Sequence, residues 1–189
     1  MTGPRVFLFF TIQSNSWIGI LCLVDLILKL FNKKTNRLYL IFKEVFTVAI
    51  TLTGAVYVFV LAPTFFATAW ELSLVLTHVV VPFGAIVSYF LDRDRKLFKK
   101  CDFLYAAIPP LYYLIFVIIG WFVPFDYTGS GVNFPYFFMN FGSPVGIFGF
   151  DFTSGNEYFM GSFYWIIVLL FFVLGISLLY LRVGKKKEN

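Results

Sequence analysis

Long apolar runs alternate along this chain with short polar breaks. Five runs reach the length of about 20 helical residues needed to cross the hydrocarbon layer of a bilayer: Val6 to Phe31, Tyr39 to Leu61, Trp70 to Leu91, Phe103 to Phe122 and Tyr158 to Leu181. They are continuously apolar, whereas membrane-spanning strands would give short alternating segments, so the pattern predicts helices and not a β-barrel. The expected fold is all-α: a polytopic transmembrane bundle of five helices forming a single domain over residues 1–189, with an aromatic external loop at about 123–157.

Composition points the same way. Apolar residues make up 60% of the chain and charged residues 13%, which sets it apart from a soluble domain. The 27 Phe and 11 Tyr suit lipid-facing surface and interfacial belts.

Charge orients the bundle, because short cytoplasmic loops retain Lys and Arg. Lys33, Lys34, Arg37 and Lys43 follow the first run; Arg93, Arg95, Lys96, Lys99 and Lys100 follow the third; Arg182, Lys185, Lys186 and Lys187 follow the fifth. Glu71, Asp126, Asp151 and Glu157 fall on the other side. The expectation is an external N-terminus and a cytoplasmic C-terminus, in an integral, multi-pass protein of the cell membrane; Arg5 alone has the wrong sign for its side. The net charge of +5 belongs to the cytoplasmic face, where it favours anionic lipid and not nucleic acid. The first run is read as retained, since it is long, interrupted by polar residues and lacks an Ala-x-Ala-like cleavage site. Cys22 and Cys101 have neither metal-like nor disulfide-framework spacing, and one His without a nearby carboxylate falls short of a zinc ligand set. No metal or cofactor is expected.

An ionisable side chain within a membrane run asks for a partner or a function. His78 is the single histidine, and the candidate partner is the polar patch Thr11, Gln13, Ser14, Asn15 and Ser16 in the first run. At 1.5 Å per residue, Thr11 and His78 both fall roughly 10 Å below the external surface. Thr11, Ser14, Asn15 and Ile18 share one helix face, and Glu71, Leu74, Val75, His78 and Pro82 form a matching stripe, with Pro82 removing a backbone hydrogen bond near His78.

This pairing suggests acyl transfer. A Thr hydroxyl becomes a useful nucleophile when a neutral imidazole accepts its proton, and Ser14 or Asn15 could donate to the developing oxyanion. Two structural alternatives stand beside it: Thr and Ser commonly bond their own i−4 carbonyl, and Asn and His commonly tie membrane helices together. The aromatic loop either caps the bundle or covers the Thr11/His78 cleft, offering Tyr136 and Asn140 to a substrate. Asp25 is expected to pair with Lys29 four residues on. Asp92 and Asp94, beside Arg93 and Arg95, read as ordinary loop charge. Glu71 lies about 10 Å along the axis from His78, which leaves the group that orients His78 unidentified.

The strings FFTIQSNSW at Phe9 to Trp17, LTHVVVPF at Leu76 to Phe83 and FPYFFMN at Phe134 to Asn140 resemble marks of the Pr6Pr family of membrane proteins. That family is similar to the group containing androgen-induced gene 1 and androgen-dependent TFPI-regulating protein, transmembrane threonine hydrolases that cleave fatty acid esters of hydroxy fatty acids. The resemblance implies Thr11 as nucleophile and His78 as the essential histidine. It also implies a further helix ahead of the Thr-bearing segment, so either five helices suffice here or a homodimer closes that side. The expected activity is intramembrane hydrolysis of long-chain lipid esters, the substrate being a membrane lipid or another long-chain acyl ester. The alternative is a non-enzymatic lipid-binding or transport protein.

Overall fold

The computed structural model describes residues 3–91, 98–153 and 157–185. Asp92, Arg93, Asp94, Arg95, Lys96, Lys186 and Lys187 lie outside the described residues. Five helices are long and apolar enough to cross a membrane: α1 (Phe10–Leu30), α2 (Arg37–Phe65), α3 (Leu72–Leu91), α4 (Asp102–Phe122) and α5 (Ser162–Val183). No β-strand occurs among the described residues, only a single bridge between Phe150 and Met160.

Two boundaries differ instructively from the hydropathy pattern. The first apolar run does not form one helix from Val6: Pro4–Leu8 make a 3₁₀ turn, Phe9 is extended, and α1 starts at Phe10. Pro4 suits the start of such a turn because its φ is fixed. The Gln13 amide donates to the Phe7 carbonyl at 2.9 Å, bridging the break. At the other end of the chain, α5 starts at Ser162 rather than Tyr158. The backbone just before it is engaged with the loop: the Asp151 amide donates to the Phe159 carbonyl at 3.1 Å and the Gly161 amide to the Gly149 carbonyl at 2.8 Å.

The second span is the hub, packing against all four others. Its Val48, Ala49 and Ile50 are fully buried, as expected of a helix packed on several sides. Gly54 lets α2 and α3 approach closely, since a Cβ there would lie 2.9 Å from the His78 carbonyl oxygen and 3.1 Å from Pro82 Cβ. The fourth and fifth spans meet at Asp102–Ala107, then separate over Ile108–Phe122.

Polar groups gather at both ends. Asp25 accepts from Lys29 at 2.8 Å, the expected pair, and also from the Tyr39 hydroxyl at 2.7 Å and Lys43 at 3.4 Å. Lys43, which the charge pattern groups with the loop cations, is instead inside α2 and buried. Buried Asp102 accepts from Arg37 at 2.5 Å and from the Lys99 amide at 2.8 Å. Deeper in the bundle, Glu44 is 1% exposed and accepts a hydrogen bond from Ser177 of α5. At the opposite end Arg5 pairs with Asp126 at 3.4 Å, so its charge has a local counterpart. Desolvation raises the Asp126 carboxyl, but the Gly129 and Gly131 amides and Arg5 together hold it below the usual carboxylate range.

Candidate active site

Two irregular helical segments face each other where α2 and α3 meet. Tyr57–Leu61 and Leu76–Val80 are π-helical, with wider turns than an α-helix, a feature that recurs at functional sites. Tyr57 opens the first and His78 lies in the second; their rings stack with centroids 4.0 Å apart at 22°. The Tyr57 hydroxyl donates to the Ala69 carbonyl, which fixes the ring.

The orienting group missing from the sequence is a backbone carbonyl. His78 Nδ1 lies 2.9 Å from the Leu74 carbonyl oxygen and 2.9 Å from Thr77 Oγ1. A carbonyl only accepts, so this contact assigns the ring proton to Nδ1 and leaves the Nε2 lone pair free to accept. Nε2 lies 3.3 Å from Thr11 Oγ1. Nucleophile and base candidates are therefore within reach, at the loose separation common before substrate binds.

The break at Phe9 changes what Thr11 can do. Instead of lying well inside a helix, Thr11 is the second residue of α1, and its amide belongs to the first turn, whose N–H groups have no intrahelical acceptor. That amide donates to the Tyr136 hydroxyl at 3.4 Å, and the same hydroxyl lies 3.4 Å from Thr11 Oγ1. The positive end of the helix dipole favours negative charge here. Desolvation raises the Tyr136 phenol above its ordinary value, keeping its proton available for donation. A carbonyl oxygen that displaced the long, 3.4 Å contact between the Thr11 amide and the Tyr136 hydroxyl would meet one N–H and one O–H, both suited to a developing oxyanion.

Ser14 and Asn15 are placed near Thr11 but are committed elsewhere. Ser14 is fully buried, donates to the Thr11 carbonyl at 3.1 Å and bonds Thr53 Oγ1 at 2.8 Å. Asn15 Nδ2 donates to the carbonyls of Thr11 at 2.8 Å and Thr77 at 3.2 Å, tying α1 to α3. Ser16 bonds its own i−4 carbonyl at 2.8 Å. Asn140 shapes the loop: its side-chain oxygen accepts the Gly142 amide at 3.1 Å and its carbonyl accepts from Ser162 at 3.2 Å. Of the four auxiliary candidates, only Tyr136 presents its side chain to Thr11 Oγ1.

An apolar cavity of about 70 Å³ abuts this group, with Thr11 and, from the loop, Tyr136, Phe138 and Met139 in its wall. His78 does not line the cavity; it stands behind Thr11. The loop therefore contributes Tyr136 to the Thr11 cluster and apolar lining to the space beside it. Comparison with known proteins yields no match to this chain among family models, curated proteins or solved structures.

Proposed function

We propose that the protein is an intramembrane hydrolase of long-chain acyl esters, fatty acid esters of hydroxy fatty acids among them, with Thr11 as nucleophile and His78 as base. The observation that carries this reading is the contact of Thr11 Oγ1 with His78 Nε2 beside an apolar cavity. Thr11 Oγ1 attacks the ester carbonyl carbon while His78 Nε2 takes its proton. The oxyanion is held by the Thr11 amide and the Tyr136 hydroxyl. Collapse of the adduct breaks the bond to the alcohol oxygen, which receives the proton from His78, and leaves an acyl-Thr11 ester. Water, deprotonated by His78, attacks that ester; its collapse returns the proton to Thr11 and releases the fatty acid. The resemblance to the Pr6Pr family and to the androgen-induced gene 1 group supports the same two residues.

The expected location is the cell membrane, with the Thr11 end external and the basic ends of the spans cytoplasmic. The second reading, a lipid carrier without turnover, is favoured by the cavity alone, whose wall near Thr11 is otherwise largely aliphatic and aromatic. Labelling with a long-chain alkyl electrophile separates the two: a hydrolase gives a covalent adduct on Thr11, absent in His78→Gln, whereas a carrier gives reversible binding and no adduct.

Tyr136→Phe removes one oxyanion donor while keeping the ring that stacks on Phe138, with centroids 5.2 Å apart at 6°. The expected result is a fall in kcat of about 10²-fold with little change in KM, in line with loss of a single oxyanion donor. Steady-state rates on a dispersed ester measure it. An equal rate in Tyr136→Phe would remove Tyr136 from the mechanism.

A further inference from the structure

We propose that the acyl chain of the substrate reaches Thr11 from the side, out of the lipid, through the gap between α4 and α5. This proposal rests on the hydrolase reading and specifies how that site recognises its substrate. The two helices touch at Asp102–Ala107 and separate over Ile108–Phe122. Where they separate, the cavity is walled by Pro110, Leu111 and Leu114 of α4 and by Ile166, Leu169 and Leu170 of α5. The spacings i, i+1, i+4 on one helix and i, i+3, i+4 on the other each describe a single face. Leu111 is 42% exposed, so the aliphatic wall continues onto the outer surface of the bundle. Phe138 and Met139 of the loop also line the cavity, with Phe138 stacked on Tyr136. An approach between the α4 and α5 faces is lateral, from where lipid chains reside.

The size of the space sets the chemistry it accepts. A volume of about 70 Å³ holds a short stretch of methylenes and not a whole long-chain lipid. Each wall covers five residues, four helical rises or about 6 Å along its axis. The carbons next to the carbonyl therefore lodge in the protein, and the rest of the chain stays in the hydrocarbon layer. Such a groove selects linear acyl groups, unbranched near the carbonyl, and leaves the alcohol side less constrained.

The test compares palmitoyl and butyryl esters of one fluorogenic alcohol, with purified full-length protein in phosphatidylcholine vesicles. Leu114→Trp and Leu170→Trp fill the gap from either side. The expected result is a fall of at least tenfold in the palmitoyl-to-butyryl ratio of kcat/KM for both variants. An unchanged ratio overturns the proposal. A second measurement stands apart from turnover and from any folding defect of the variants. The unsubstituted protein and Thr11→Ala are photolabelled with palmitic acid carrying a diazirine near its carboxyl end, with unlabelled palmitate as competitor. Saturable, competed labelling within 110–114 and 166–170 supports the lateral gap, even if the unsubstituted protein hydrolyses neither ester and the hydrolase reading fails. Labelling there that is no more competable than at lipid-facing Phe171 overturns the gap, whatever the turnover.

Discussion

Thr11→Ala is expected to lower release of fatty acid by at least about 10³-fold, the scale on which an enzyme loses rate with its nucleophile. The bundle should remain folded, because one buried hydroxyl contributes only about 1 kcal/mol. Thr11→Ser is the sharper member of the series. It keeps the oxygen that faces His78 and Tyr136 and drops a methyl, so part of the rate should survive. A Thr that merely packs gives no reason for Ser and Ala to differ strongly in turnover. The measurement is free fatty acid released in vesicles, over an ester panel that includes branched hydroxy-fatty-acid esters. Full turnover in Thr11→Ala, from a preparation free of contaminating esterase, would remove the nucleophile assignment.

The second large effect belongs to His78. His78→Gln should retain much of the packing against Tyr57 and can still accept a hydrogen bond from Thr11, but an amide is not a base at neutral pH. Turnover should fall about as far as in Thr11→Ala, and the double variant should fall no further, since nucleophile and base serve one step. His78→Ala should lose the same activity and also some stability, through the empty space beside Tyr57 and the lost bond to the Leu74 carbonyl. If His78 only ties helices together, Gln would restore both fold and function. Thermal melts read alongside the rates distinguish these outcomes.

The five spans were legible because an unbroken apolar stretch of about 20 residues matches the hydrocarbon thickness of a bilayer and suits little else. The approach of Thr11 and His78 was legible from matched depth and the shared polar face, on the condition that the first and third helices pack together. The break at Phe9 was not, because Val6 to Phe9 are as apolar as α1 itself and only Pro4 hints at a turn. The π-helical segments around Tyr57 and His78 escaped for the same reason, since a wider turn leaves composition unchanged. Tyr136 was named only as one of several loop groups. Its selection over Asn140 depends on how the loop folds back over α1. Glu44 was missed altogether: it follows Lys43, which read as the tail of a cytoplasmic loop, although the helix buries both. Ser14 and Asn15 had the right face, but the sequence does not say which carbonyls compete for their donors.

The bond from Ser177 to Glu44 has a consequence for biogenesis. The second span is synthesised with a carboxyl group whose partner lies on the fifth, more than a hundred residues later. An ionisable group within a membrane helix is costly until it is matched, by roughly 3 kcal/mol on insertion scales. During synthesis the hub helix therefore carries an unmatched polar group, which α5 answers on docking. The fifth span is thus expected to serve as a checkpoint for assembly, with Glu44 left unmatched in a chain released before it. Such a chain, ending before Ser162, is expected to be degraded faster than the same truncation carrying Glu44→Leu, as a pulse-chase would show.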